Sequence, residues 1–373
     1  MIAYSKWFWL GLLLLAWPIG AMAQVVVPEE EFYRSRVVEI LGERRDDFGL
    51  QGTRPYFQEV KVVFEEGPRE GEEEVVEYGS LTEDQKLVEG EAVIALLSEN
   101  TNTYIFDRYR LPAVVGMLAV FVALAVFFAG WRGLMSLVGL MVSVVVLVWY
   151  VVPQIMEGRN PLLTSLGAAS FIALVSIYLA HGFSRRTTVA VVSTFLTIGI
   201  AVGIAQLFVA WTGLLGMGSE EAFYLQTSQA SFVNLKGLLL GGIIIGALGV
   251  LDDITTAQAG AVDEIWKANP KLIGRDLYKR GISVGREHIT SLVNTLALAY
   301  VGASFPALLL FTVYERPWWV VVNTEAIVEE VVRTLVGSIA LMVAVPITTL
   351  IAAYWLPAGS DVDKKESAAS YGQ

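Results

Sequence analysis

Seven apolar stretches constrain this chain more than any other feature. They fall near 112–129, 133–153, 162–181, 189–211, 237–257, 289–312 and 328–356. Each approaches the ~20 residues that a helix needs to cross a bilayer. Backbone polar groups at that depth must be satisfied internally, which only helices and closed barrels achieve. The runs therefore predict an all-α polytopic membrane helix bundle of about seven transmembrane helices. A hydrophobic content of 55% over 373 residues fits that class.

Before the first of these runs lies a different kind of sequence. Lys6 precedes an apolar run, Trp7–Gly20, that ends in Ala21-Met22-Ala23. This pattern predicts a secretory signal peptide over 1–23, cut before Gln24. Residues 24–110 hold 21 acidic and 10 basic residues. The rest of the chain holds 16 of each, so the whole net charge of -11 lies in this polar segment. Arg36–Leu41, Phe57–Phe64, Glu74–Tyr78 and Ala92–Leu97 are short, β-branched and partly alternating, and Gly67-Pro68 and Glu70-Gly71 mark turns. They predict a small β-rich domain over 24–110, with a five-stranded barrel as one form. Thr101–Arg110 reads as the lead into the membrane. The acidic balance argues against nucleic acid as a partner of this domain.

Basic residues set the expected orientation. With the β-rich domain outside, the inner loops carry Arg132, Arg185, Arg186, Lys267, Lys271, Arg275, Lys279, Arg280, Arg286, Lys364 and Lys365, while the outer loops carry Arg159, Lys236 and Arg316. That bias follows the positive-inside rule. It places the transmembrane domain at 111–357 and a cytoplasmic tail at 358–373. The inner stretch Ala257–His288 reads as a long amphipathic loop whose apolar side, Ile265, Trp266, Leu272, Ile273, Leu277 and Tyr278, is expected to pack on the inner ends of the bundle or to lie in the interface.

The candidate site begins in Gly241–Glu264. On a helix, Gly242, Gly246, Gly249, Asp253, Thr256 and Gly260 share one face. Small residues on one face let a second helix approach, so Asp253 is expected to point into the bundle and to matter more than Asp252. On the sixth predicted helix, Glu287, Ser291, Asn294 and Leu298 form a second stripe. If the two helices adjoin, Asp252, Asp253, Thr255, Thr256 and Gln258 would face Glu287, Ser291 and Asn294. Carboxylate, amide and hydroxyl oxygens suit a hard cation or a proton. His181 and Arg185, in the turn His181–Thr187, are secondary candidates: a proton carrier and an anion ligand. The small-residue pairs Gly199–Gly203 and Gly237–Gly241 predict close helix packing.

Some chemistry is excluded. The chain has no cysteine, so disulfides and thiolate catalysis are absent. Two histidines make a histidine-rich metal site unexpected. The chain carries neither a G-x-S-x-G elbow nor an H-E-x-x-H motif, and its glycine runs lie inside apolar helices rather than phosphate loops. No enzyme activity, metal or cofactor is expected.

Three segments together resemble the YibE/F family of bacterial membrane proteins. They are GALGVLDDITTAQAGAVDEI at Gly246–Ile265, DLYKRGISVGREHITSLVNTLALAYVGAS at Asp276–Ser304 and HGFSRRT at His181–Thr187. The likeness covers about 112–356 and implies a multi-pass protein of the bacterial cell membrane. It implies no activity. Two functions are then expected from the residues. One is a transporter or channel for a small solute or ion. The alternative is a non-catalytic envelope scaffold or sensor whose outer domain binds a partner. The expected partners are the lipid bilayer, a small solute or cation, and an extracytoplasmic protein; an oligomer is left open.

Overall fold

The computed structural model describes residues 31–45, 56–80, 82–97, 103–228, 230–313 and 317–370. The expected signal peptide at 1–23 lies outside the described residues. The chain divides into two units, Met1–Leu124 and Ala125–Gln373.

The first unit is built on five antiparallel strands: β1 (Glu31–Arg45), β2 (Tyr56–Phe64), β3 (Glu73–Ser80), β4 (Ala92–Leu97) and β5 (Thr103–Arg108). Their order in the sheet is β3-β2-β1-β4-β5. The stretch expected to lead into the membrane is therefore largely the fifth strand. The sheet curls into a half-barrel rather than closing by a ladder. A side-chain bond ties its two edges, Thr103 Oγ1 donating to Glu74 Oε2 at 2.6 Å. Alternation along the strands puts Val37, Val60, Val62, Val76 and Val93 on the concave face with Leu87, and these make the core. Irregularities in β1 between Val37 and Glu39, and between Ile40 and Gly42, break the alternation and leave Val38 and Leu41 exposed. Gln58 is buried yet satisfied, because its amide bonds both the N–H and the C=O of Leu87.

Helices make up nearly all of the rest: α1 (Leu111–Val146), a π-turn and α2 (Val152–Met156), α3 (Pro161–His181), α4 (Arg185–Thr212) and α5 (Glu220–Thr227). They continue with α6 (Leu235–Ala268), α7 (Gly274–Ala303), α8 (Phe305–Val313), α9 (Trp318–Val322) and α10 (Glu325–Ser370). Among the described residues, five helical runs are long and apolar enough to cross a membrane: Leu111–Met156, Pro161–His181, Arg185–Thr212, Leu235–Ala268 and Glu325–Ala358. The first contains two predicted spans. They meet at Gly130, whose φ of 59° and ψ of -141° interrupt the helix. A Cβ on Gly133 would lie 2.4 Å from Ala125 O, so the chain turns back sharply there.

The expected sixth span differs most. Instead of a long inner loop from Ala257 to His288, α6 continues to Ala268 and α7 already starts at Gly274. Leu277, read as part of a loop, is fully buried, and Ile265, Trp266, Leu272 and Tyr278 pack against the core. The helix is then interrupted at Ser304, just before Pro306, a residue that disfavours helical backbone in front of it. α10 likewise runs past the expected tail boundary at 358, to Ser370.

Polar sequence signals place the helix ends. Asn160, Ser184 and Asn234 accept from backbone N–H groups at the starts of α3, α4 and α6. Gly182, with φ 74°, ends α3 and turns the chain into α4. The loop 213–218 is held by α10: Glu325 Oε1 accepts from Leu215, Gly216 and Met217 N–H, and Glu329 Oε1 from Gly218 N–H. The approach is close enough that a Cβ on Gly216 would lie 2.4 Å from Leu235 O.

Candidate functional site

α6 is the central helix, packed by α3, α4, α7 and α10. Its contacts are chosen by glycines and by buried hydroxyls. A Cβ on Gly241 would lie 2.4 Å from Ser165 Oγ, and one on Gly237 would lie 3.2 Å from Pro161 Cδ. Gly237–Gly241 is therefore the close seam with α3, as expected. The hydroxyls of Thr194 of α4 and Thr255 of α6 share a hydrogen bond at 2.7 Å. Gln258 is fully buried and donates to Gly281 O of α7 and to Thr349 Oγ1 of α10. Thr349 itself donates to Val345 O, which fixes the direction of that bond. Gln258 thus ties three helices together.

The face predicted to hold a neighbouring helix does something else. Gly242 and Gly246 are partly exposed and Gly249 and Asp253 are exposed. A Cβ on Gly249 would meet nothing within 4 Å. The expectation that Asp253 points into the bundle is therefore overturned. The reason is that α3 and α4 pack on the opposite and lateral faces, where the other glycine pair and Thr255 lie. Asp252, the residue ranked second, is the more buried of the two and accepts from Ser176 Oγ of α3 at 3.0 Å. Thr256 lies beside them and donates to Asp252 O at 2.8 Å.

The open strip is nevertheless lined. A Cβ on Gly242 would lie 3.6 Å from Arg333 Nη1 of α10, and one on Gly246 would lie 3.2 Å from the Tyr300 hydroxyl of α7. Arg333 Nε is 3.5 Å from Glu330 Oε1 and has no hydrogen-bond partner among the described residues. Toward the other end, Arg186 of α4 lies 4.0 Å from a Cβ on Gly260, and His181 is within electrostatic reach of Asp253. The strip thus runs from Arg333, Glu330 and Tyr300, past bare backbone at Gly249, to Asp253, Thr256, His181 and Arg186.

The second predicted stripe does not join it. Glu287, Ser291 and Asn294 are exposed on α7 and face away from α6. The cause is packing: Gly281 and Gly285 are the residues that α7 turns toward the bundle. A Cβ on Gly285 would lie 2.3 Å from Val345 Cγ1, and one on Gly281 would lie 2.8 Å from both Thr349 Cγ2 and Val262 Cγ2. The cation or proton site expected between these two helices is accordingly not assembled. Gly199 and Gly203 on α4 are also exposed and meet nothing within 4 Å, so they do not serve packing within one chain. Arg185 is exposed in the first turn of α4. Among the described residues, no three His, Asp or Glu side chains converge as metal ligands.

Sequence reading passed over Glu330, Arg333 and Tyr300. A signal existed in EEVVRT, charges at 329, 330 and 333 inside the run taken as the seventh span. Such charges within a span are site candidates by default.

A bundle of helices, five of them long and apolar enough to cross a membrane among the described residues, together with a curled β-sheet unit, defines the class. Residues 117–358 match the family model described as YibE/F-like protein, and the chain belongs to that family. No curated protein and no solved structure matches the chain.

Proposed function

We propose that the helical unit is a transporter or channel for a small solute or ion, with its path along the open glycine strip of α6. In this reading the chain crosses the bilayer seven times, α7 and α8 together forming the sixth crossing. The β-rich unit lies outside and the C-terminus lies in the cytoplasm, following the bias of basic residues.

One observation carries the proposal: Arg333 reaches over Gly242 on an apolar helix, in line with the open backbone of Gly249. From Leu235 to Gly242 is seven residues, or about 10 Å along the axis, and to Asp253 about 27 Å. Against a hydrocarbon core of ~30 Å, Arg333 beside Gly242 belongs to the core, and Asp253 to its inner boundary. A charge at that depth costs at least several kcal/mol in lipid. Glu330 pairs with it at 3.5 Å, and Glu329 lies within electrostatic reach, so the arginine is held there by carboxylates rather than by lipid. In this reading water in the strip hydrates the exposed part of the guanidinium, while Nε is closed to solvent. Bare glycine backbone at Gly249, with nothing within 4 Å of where a Cβ would stand, gives a solute room along the strip.

Purified protein in proteoliposomes, assayed with a panel of anions and cations, tests the reading. Flux above empty liposomes that falls at least tenfold in Arg333→Gln supports it. Wild-type vesicles indistinguishable from empty ones across the panel contradict it. The scaffold or sensor reading keeps one observation of its own. Between β3 and β5 lies an open cleft of about 560 Å³ lined by Tyr78, Tyr104, Phe106, Arg108 and Arg110. Capture of a specific envelope protein by this unit, with no flux, favours that alternative.

A further inference from the structure

β3 and β5 are the two edges of the curled sheet, and the gap between them is tied at both ends. At one end Thr103 Oγ1 bonds Glu74 Oε2. At the other the Arg108 guanidinium donates to Gln85 O at 3.1 Å and to Lys86 O at 2.6 Å. A gap closed at both ends gives no free run of edge to an added strand, whose pairing needs one. What remains is the cleft of about 560 Å³, within the ~300–1,000 Å³ range of small-molecule sites.

The groups around it sort by chemistry. Tyr104 and Phe106 line it and are 51% and 63% exposed. A bulge puts Phe106 there: Ile105 pairs with Ala95 and Asp107 with Ile94, so Phe106 is the extra residue that a bulge re-aims. Phe32 then holds its ring edge-to-face, with centroids 5.2 Å apart. Asp84 lines the cleft and makes no hydrogen bond or ion pair among the described residues. Glu77 and Asp107 are paired with Arg44 and Arg110 at 2.8 and 2.7 Å and keep lone pairs to spare. Ser80, only 5% exposed, carries a hydroxyl with no partner among the described residues. The charges decide which ligand fits. Three carboxylates, Glu77, Asp84 and Asp107, stand against two guanidiniums, Arg108 and Arg110. Arg108 is already bound to Glu91 at 3.0 Å and Arg110 to Asp107, so an anion finds no uncommitted cation. A wholly apolar ligand would strip water from the carboxylates and give nothing back.

We propose that this cleft binds a short neutral saccharide. A sugar ring has an apolar C–H face and a rim of hydroxyls. The exposed rings of Tyr104 and Phe106 offer a negative π surface to the C–H face. Asp84 and the spare carboxylate oxygens accept from the rim as charge-assisted bonds. The proposal concerns the β-rich unit alone and is independent of the transport reading. It gives the sensor alternative a ligand, and protein capture without saccharide binding would overturn it while leaving that alternative standing.

The test uses the full chain in lipid nanodiscs, free of sugar-based detergent. It is titrated with maltotriose, cellotriose and chitotriose, and with inorganic phosphate as the anionic comparison. Calorimetry and saturation-transfer NMR read binding. The expected result is a Kd between about 10 μM and 1 mM for one trisaccharide or more. Tyr104→Ala and Phe106→Ala should each weaken it about tenfold, and Asp84→Asn about threefold. Val75→Ala, exposed on β3 outside the cleft, should leave it unchanged. Glucose and N-acetylglucosamine are added because equal affinity marks a free sugar as the ligand, whereas a gain with length marks a glycan chain. No binding by any of these sugars at about 10 mM overturns the proposal. So does tighter binding of phosphate, or saccharide binding that all three cleft variants leave intact. Circular dichroism checks that each variant keeps its sheet. Asp84→Asn, exposed and unbonded, carries the test should an aromatic variant lose it.

Discussion

Substituting Gly285 with alanine tests how α7 is held. The added Cβ would stand 2.3 Å from Val345 Cγ1 and 2.9 Å from Gln258 Oε1. Both groups are fully buried, and a β-branched valine on a helix has one strongly preferred rotamer, so it cannot simply swing aside. Overpacking of this kind costs about 1–3 kcal/mol. Alanine repays about 1 kcal/mol through its higher helix propensity. The net expectation is a loss of about 1 kcal/mol. Val345→Ala alone removes two methyl groups and costs about 2 kcal/mol with its cavity. Combined, the two changes should couple favourably by about 1–3 kcal/mol, because the obstructing methyl is gone. Gly249→Ala, with nothing within 4 Å of its Cβ, is the control and should gain up to about 1 kcal/mol. Reversible unfolding in mixed micelles, monitored by circular dichroism, reads all four variants. A Gly285→Ala protein at least as stable as the wild type, or strict additivity with Val345→Ala, refutes the packing argument.

Other outcomes follow from the same geometry. Glu325→Ala leaves three backbone N–H groups of the loop 215–217 without their carboxylate and should cost about 1–3 kcal/mol, with faster proteolysis at that loop. Asp252→Asn should perturb flux or growth phenotype at least as much as Asp253→Asn, because Asp252 is the more buried and holds Ser176; the reverse order would restore Asp253 as the principal acid. In the β-rich unit, the Lys86 ammonium bonded to Glu43 holds that carboxyl below its ordinary value, and the Arg110 guanidinium does the same for Asp107. A depressed folded-state value means stability present above the unfolded value of about 4 and lost as pH falls through the folded one. Melts of the full chain followed by a β-specific signal should therefore shift down only below about pH 4, and an unchanged melt at pH 3 would contradict this.

Periodicity and length made the helices legible, since a bundle of apolar runs has few alternatives in a membrane. The strands were legible where valine alternates, as in Phe57–Phe64, but β5 was not. Its TYIFDR sequence sits directly against the apolar run and reads as a linker. The stretch after Ala257 was misjudged because charge was taken for a loop. In fact Leu277, Gly281 and Gly285 give it a buried face at helical spacing, with the charges turned outward. The glycine face of α6 shows a deeper limit. Sequence places Gly242, Gly246, Gly249 and Asp253 together but cannot say whether a neighbour covers them. That depends on which of two glycine faces α3 selects, and Ser165 and Pro161 settle it in favour of Gly237 and Gly241. Arg333 was overlooked because its partner surface is another helix's missing side chains.

The central claim is that water, not lipid, meets the glycine strip. Single variants Gly242→Cys, Gly246→Cys, Gly249→Cys and Asp253→Cys are treated in intact membranes with a charged, membrane-impermeant thiol reagent. Leu196→Cys on the exposed face of α4 is the lipid-facing comparison. The account predicts modification at all four strip positions, including Gly249 in the middle of the span, and none at Leu196→Cys. Modification confined to Asp253→Cys, with Gly242→Cys, Gly246→Cys and Gly249→Cys as inert as Leu196→Cys, would mean that the strip faces lipid and that no path runs along it.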